Sequence, residues 1–137
     1  MRSKAPLALL EQTIMVLVFA LAAALCLRAF LWSDAASARN QARDQAVLQA
    51  ESAAEVLKHS AGDFEEAART LGGRWDGAAW TIYYDGDWQE ASAPAAYTLT
   101  ALPQDSGHSL LGLARVEVRS GEDPLFNLTV CWQEVEL

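Results

Sequence analysis

Glu11 is the residue whose setting most demands an explanation. It alone interrupts an otherwise uncharged run from Ala5 to Leu27. A carboxylate at the centre of a membrane costs about 2.5–3.5 kcal/mol on insertion scales, and less near an interface. Pairing with a cation can offset that cost. The carboxylate can equally reach water at the cytosolic interface and have no special role. The other reactive side chains are scattered. Cys26 falls inside the apolar run and Cys131 near the C-terminus, so they cannot pair within one folded chain. Cys131 can be a free thiol, an intermolecular link or a small residue under a loop. His59 and His108 stand in junction and loop regions without metal-ligand spacing. Asp85 and Asp87 could contact calcium, but a hairpin turn explains them more simply. Glu65-Glu66 and Glu122-Asp123 read as solvated turn and helix-end charges. Asn127-Leu128-Thr129 fits a glycosylation sequon. There is no nucleophile elbow, phosphate loop or Cys-x-x-Cys pair, so the sequence asks for no enzymatic catalysis, metal or cofactor.

The elements that would position Glu11 follow from charge segregation. The chain has 137 residues, is 52% hydrophobic and carries a formal net charge of -8. An acidic chain is ill suited to nucleic acid, which wants a basic face. Gln12–Leu27 contains 16 uncharged residues, and Phe30, Leu31 and Trp32 extend the run past Arg28. A helix over residues 7–32 is ~39 Å long at 1.5 Å per residue, enough to cross a ~30 Å hydrocarbon core with some tilt. Arg2 and Lys4 ahead of it favour a cytoplasmic N-terminus. Trp32 and Arg28 suit the outer interface. Beyond Trp32 there are 7 Lys+Arg against 17 Asp+Glu, so the exported part carries -10. A cleavable signal peptide is a rival reading, with Ala36-Ser37-Ala38 as its small-x-small site.

Residues 33–60 lack Pro and Gly and are rich in Ala. Ala46, Val47, Ala50, Ala53, Ala54 and Leu57 recur at three-and-four spacing, an apolar stripe on a polar helix. Nothing breaks the chain between Trp32 and Ser33, so one helix over about residues 7–58 is expected, ~78 Å long. The stripe would let a sheet approach closely; a dimeric coiled coil is the alternative.

Residues 61–137 are composed differently. Asp63 and Glu66 form a capping-box pair, and Gly72-Gly73 stops the short helix behind them. The pattern then switches to period two. Trp80, Ile82 and Tyr84 share a face, and Asp85-Gly86 reads as a type I′ turn. Tyr97–Thr100 is another strand. Ala114, Val116 and Val118 alternate with charged residues, and Phe126, Leu128, Val130 and Trp132 alternate with Asn127, Thr129, Cys131 and Gln133. Ser120–Pro124 would be the turn between those two strands. The expected fold is α+β: the long helix packed on a small antiparallel sheet of about four strands. Trp75, Trp80, Trp88 and Trp132 would fill its core or supply a contact patch.

These features together resemble the type IV pilin superfamily, which includes the pseudopilins of type II secretion and the minor pilins of competence systems. The segment Leu9–Leu17 (LLEQTIMVL) is similar to that family's mature N-terminus, where an acidic residue stands fifth after the leader-peptidase cut. Glu11 in that place makes Leu7 the first mature residue and residues 1–6 the leader. Trp80–Tyr84 and Leu125–Val130 also look like small pilin-like proteins of Gram-positive anaerobes. The architecture covers most of the chain, whereas the specific motif covers about ten residues. The resemblance implies a structural subunit of a type II secretion, type IV pilus or competence-type filament. Its partners would be other pilin-like subunits, the assembly platform and membrane lipid, and Glu11 would serve assembly. One residue departs from the pattern: the peptidase normally needs Gly or Ala before the cut, and Pro6 stands there. An uncut single-pass protein whose extracellular domain binds a partner without polymerising is the alternative.

Overall fold

The computed structural model describes residues 3–134. Helix α1 runs over Ala5–His59 without a break, and α2 over Phe64–Leu71. Six strands follow: β1 Arg74–Trp75, β2 Trp80–Tyr84, β3 Glu90–Ala91, β4 Tyr97–Gln104, β5 Leu111–Ser120 and β6 Asp123–Gln133. They form one antiparallel sheet in the order β1-β2-β4-β5-β6, with β3 also paired to β2. The four longer strands are those foreseen from period-two alternation. The two additional ones have only two residues each, too short to leave a periodic signal.

The chain divides into two compact units, Met1–Asn40 and Gln41–Leu137. In the first unit the described residues are almost entirely helix, and every one of them is exposed. Pro6 is the second residue of α1. There its missing N–H removes no helical bond, because the first turn has no acceptor for it. The Ser3 hydroxyl accepts the Ala5 N–H at 3.2 Å just ahead of it. Among the described residues, α1 is the one helix long and apolar enough to cross a membrane.

The second unit contains the core. Ala46, Ala50, Ala53, Ala54 and Leu57 of α1 are buried with the inner face of the sheet. That face is built from Trp80, Ile82 and Tyr84 of β2, Leu99 and Ala101 of β4, Ala114, Val116 and Val118 of β5, and Val130 and Trp132 of β6. The register sets the largest side chain of this face beside the smallest, with Trp80 opposite Ala101, and pairs two branched side chains, with Ile82 opposite Leu99. The Ala stripe is therefore covered by the chain's own sheet and is not free to act as a coiled-coil seam. Val47, counted in the stripe by its spacing, is only half-buried.

Several local details differ from expectation. Asp63 caps α2 by accepting the N–H groups of Glu65 and Glu66, both at 3.0 Å. The Asp63 N–H is given to the Ser60 carbonyl rather than to the Glu66 side chain, so only half of the capping box forms. The β2–β3 connection is not a type I′ turn, which would need left-handed backbone at Gly86. The left-handed residue is Trp88, at φ 60°. The Asp85 carbonyl accepts the Trp88 N–H at 3.1 Å, and the Asp85 carboxylate accepts from Asp87 and Gln89. This side-chain turn competes with the backbone-only alternative. It also lets the Trp88 ring stack on Tyr97, with centroids 3.9 Å apart. The β5–β6 turn is tighter than Ser120–Pro124: Asp123 already pairs with Ser120, and Pro124 with Arg119. Proline is tolerated because β6 is an edge strand.

Candidate functional site

Glu11 sits less than two turns into α1, on a helix surface it shares with Lys4, Leu7, Ala8, Ile14 and Met15. Its side chain is exposed, and among the described residues it has no hydrogen-bond or ion-pair partner. Two turns separate it from Lys4. Leu7, the residue expected to follow the cut, is exposed, and the Pro6–Leu7 bond lies within the first turn of the helix. Arg2, which was expected to flank the helix start, lies outside the described residues. The Thr13 hydroxyl returns a hydrogen bond to the Leu9 carbonyl at 2.8 Å, so this polar side chain is satisfied within the helix and needs no water.

The surface beyond Glu11 is apolar on all sides. Phe19 is 76% exposed, Leu21 57% and Trp32 78%. A helix facing its own protein core would bury one stripe. Residues 3–40 bury none, and this apolar stretch is long enough to cross a membrane. Cys26 lies on the same exposed surface.

The remaining candidates are dispersed over the second unit. Cys131 is an exposed free thiol on the outer face of β6, opposite Leu113. That corrects the reading of it as a small residue beneath a loop: among the described residues none covers it. His59 and His108 are exposed. The Ser106 hydroxyl accepts the His108 N–H and has the carbonyls of His108 and Leu111 within reach of its single O–H, which shapes that loop. Asp85 is engaged by its own turn. Asp76, which the sequence pattern did not single out, accepts the N–H groups of Ala78 and Ala79 at 2.8 Å, and these bonds hold its carboxyl below the usual range. Glu65 pairs with Arg69 across one helical turn at 2.7 Å, an exposed contact worth ~0.3–0.5 kcal/mol. Asn127 and Thr129 of the sequon are exposed in the middle of β6. Among the described residues, no three His, Cys, Asp or Glu side chains are gathered to hold a metal ion.

No family model, curated protein or solved structure matches the chain. Its chemistry must therefore be read from its own residues. The tryptophans are mainly structural. Trp80 is fully buried and donates its indole N–H to the Gly72 carbonyl at 2.9 Å. Beside it, Gly73 donates its N–H to the Glu90 carboxylate at 2.8 Å, tying the end of α2 to β3. Trp132 lies in a slot between Gly62 and Gly112, where a Cβ at either position would collide with the indole. It meets Phe64 edge-on at 6.2 Å, and Phe64 stacks on Trp75 at 4.7 Å. The Trp132 indole N–H is buried without a partner among the described residues. Tyr84 donates its hydroxyl to the Gln49 Oε1 at 3.2 Å, linking β2 to α1. Burial, and secondarily the Glu90 carboxylate, pushes the Tyr84 phenol up to about 12. The arrangement offers surfaces: an apolar helix carrying one carboxylate, and a sheet with an open edge.

Proposed function

We propose that the chain is a pilin-like structural subunit, a pseudopilin or minor pilin of a secretion, pilus or competence-type filament. The observation that carries this reading is the division of labour along α1. Its first part exposes large apolar side chains around a single early carboxylate, and its last turns bury a small-residue stripe on an antiparallel sheet. The resemblance of Leu9–Leu17 to the mature N-terminus of the family adds support. In this reading residues 7–32 cross the membrane with the N-terminus inside. Glu11 accepts the N-terminal ammonium of a neighbouring subunit and fixes the register of assembly. Pairing offsets the cost of holding a carboxylate in hydrocarbon. Pro6 makes cleavage of the leader inefficient, in keeping with a minor subunit.

The second reading, a single-pass protein that binds an extracellular partner without polymerising, is favoured by the same Pro6, because an uncut chain cannot offer Leu7 as an amino terminus. Glu11→Ala distinguishes the two. The filament reading expects normal insertion with reduced co-purification of other pilin-like subunits. Unchanged co-purification would count against it. N-terminal sequencing of the membrane-extracted chain tests processing separately: a Leu7 terminus is expected, and an intact Met1 or Arg2 terminus would remove the processing claim.

A further inference from the structure

Strand β6 closes one side of the sheet and, among the described residues, is bonded to β5 alone. Its residues Pro124–Gln133 carry no charge. Proteins ordinarily blunt such edges with short strands, charges, prolines or bulges. The other side of the sheet follows that rule, since β1 and β3 have two residues each. On β6 the protection is confined to the hairpin end, where Pro124 stands and the register with β5 shifts at Val118/Arg119. Leu125–Gln133 remains, a stretch ~30 Å long at 3.3 Å per residue, whose backbone groups point alternately to β5 and outward. A groove runs beside it, between Leu128–Cys131 and the Glu51, Glu55 and Lys58 side chains of α1. Thr129 and Cys131 of its lining are exposed, as is Asn127 earlier in the strand.

Charge selects the occupant. A second copy paired antiparallel about Leu128 would set Glu122 opposite the other chain's Glu134 at both ends of the ribbon. Like charges directly opposed destabilise a strand pair. Each copy also carries -10 beyond Trp32, from 7 Lys+Arg against 17 Asp+Glu, so the approach of two copies is repelled as a whole. The geometry points to an extended strand of a different protein, uncharged along its middle and basic at its ends, added to the outer edge of β6. Main-chain bonds would supply affinity and the alternate side chains specificity. Basic residues at the ends would meet Glu122 and Glu134, while the uncharged middle would lie beside the groove, where Lys58 accompanies Glu51 and Glu55. This inference concerns the compact unit alone and does not rest on the filament reading.

The test uses the full chain in detergent micelles and a synthetic peptide of alternating Val and Thr with Lys at each end, N-methylated along one edge so that it cannot pair with itself. Hydrogen exchange at the amides of β6 is followed with and without the peptide. Alternate amides in Leu125–Gln133 should become protected, and the same peptide with Glu ends should bind roughly tenfold more weakly, a difference of ~1.4 kcal/mol. The double variant Asn127→Lys, Thr129→Lys should lose the protection while keeping the thermal midpoint of the parent. Equal binding of both peptides, or protection by neither, would overturn the proposal. So would protection of β6 that grows with chain concentration in the absence of peptide, since the occupant would then be a second copy.

Discussion

Residues 7–32 and 46–57 belong to one helix and treat their apolar side chains in opposite ways. In the first stretch the side chains are large and stay exposed on every side: Leu10, Val16, Phe19, Leu25 and Phe30 all face outward. In the second the buried stripe is mostly alanine, with Ala46, Ala50, Ala53, Ala54 and Leu57 against the sheet, while Leu48 stays outside the stripe and exposed. Propensity cannot account for the difference, because Ala and Leu both favour helix. Distribution and size account for it. An apolar surface that runs all round suits lipid, which contacts every side equally. A narrow stripe of small residues suits a sheet, which approaches from one side and supplies the bulk itself through Trp80, Ile82 and Leu99. Hydrophobicity is therefore informative only together with its angular spread.

The contrast can be broken most directly with tryptophan. Trp80→Ala should destabilise the domain by ~3–5 kcal/mol, through lost burial and a residual cavity, with the Gly72 carbonyl losing its indole donor. Trp32→Ala should leave unfolding unchanged, because Trp32 is 78% exposed whereas Trp80 is 0% exposed. Urea unfolding of the full chain in micelles checks both. An equal loss in the two variants would show that the first stretch has a core of its own. Alanine sharpens the comparison at smaller cost. Ala53→Leu should overpack the helix–sheet contact and cost ~1–3 kcal/mol, whereas Ala22→Leu should leave the same unfolding curve in place.

Much of this division was legible in the sequence. The uncharged run, the three-and-four Ala spacing and the period-two strands each imprint a pattern on many residues, so each survives local exceptions. What escaped notice depends on single contacts. β1 and β3 are too short to alternate, and Arg74–Trp75 is a strand only because Trp75 pairs with Trp80. Asp85-Gly86 fits a type I′ turn locally, whereas in the fold Trp88 takes the left-handed position and stacks on Tyr97. Cys131 was placed on the face opposite Trp132, but alternation cannot say whether a loop covers that face. The slot formed by Gly62 and Gly112 around Trp132 joins residues far apart in sequence. The asymmetry of the sheet edges was likewise invisible, since it depends on strand order. Glu11 could be singled out because one charge in an apolar run is conspicuous, but its pairing depends on a second molecule.

The smallest effect expected is in pH dependence, and it should appear in the compact unit only. The Tyr84 phenol is raised from 10.0 to about 12 in the folded chain. The unfolded chain then loses this proton first, so the contribution is fully present below pH 10 and is lost as pH rises from 10 through about 12. Tyr84→Phe should flatten that part of the stability profile. A profile unchanged by the substitution would mean that the hydroxyl is more open to water than its bond to Gln49 implies.

Crosslinking of the full-length chain in its host membrane, with and without the filament-assembly ATPase, tests the central claim most directly. The pilin-like reading predicts crosslinks to other pilin-like chains that depend on the ATPase and weaken in Glu11→Ala. A membrane species that stays monomeric in both conditions would contradict it.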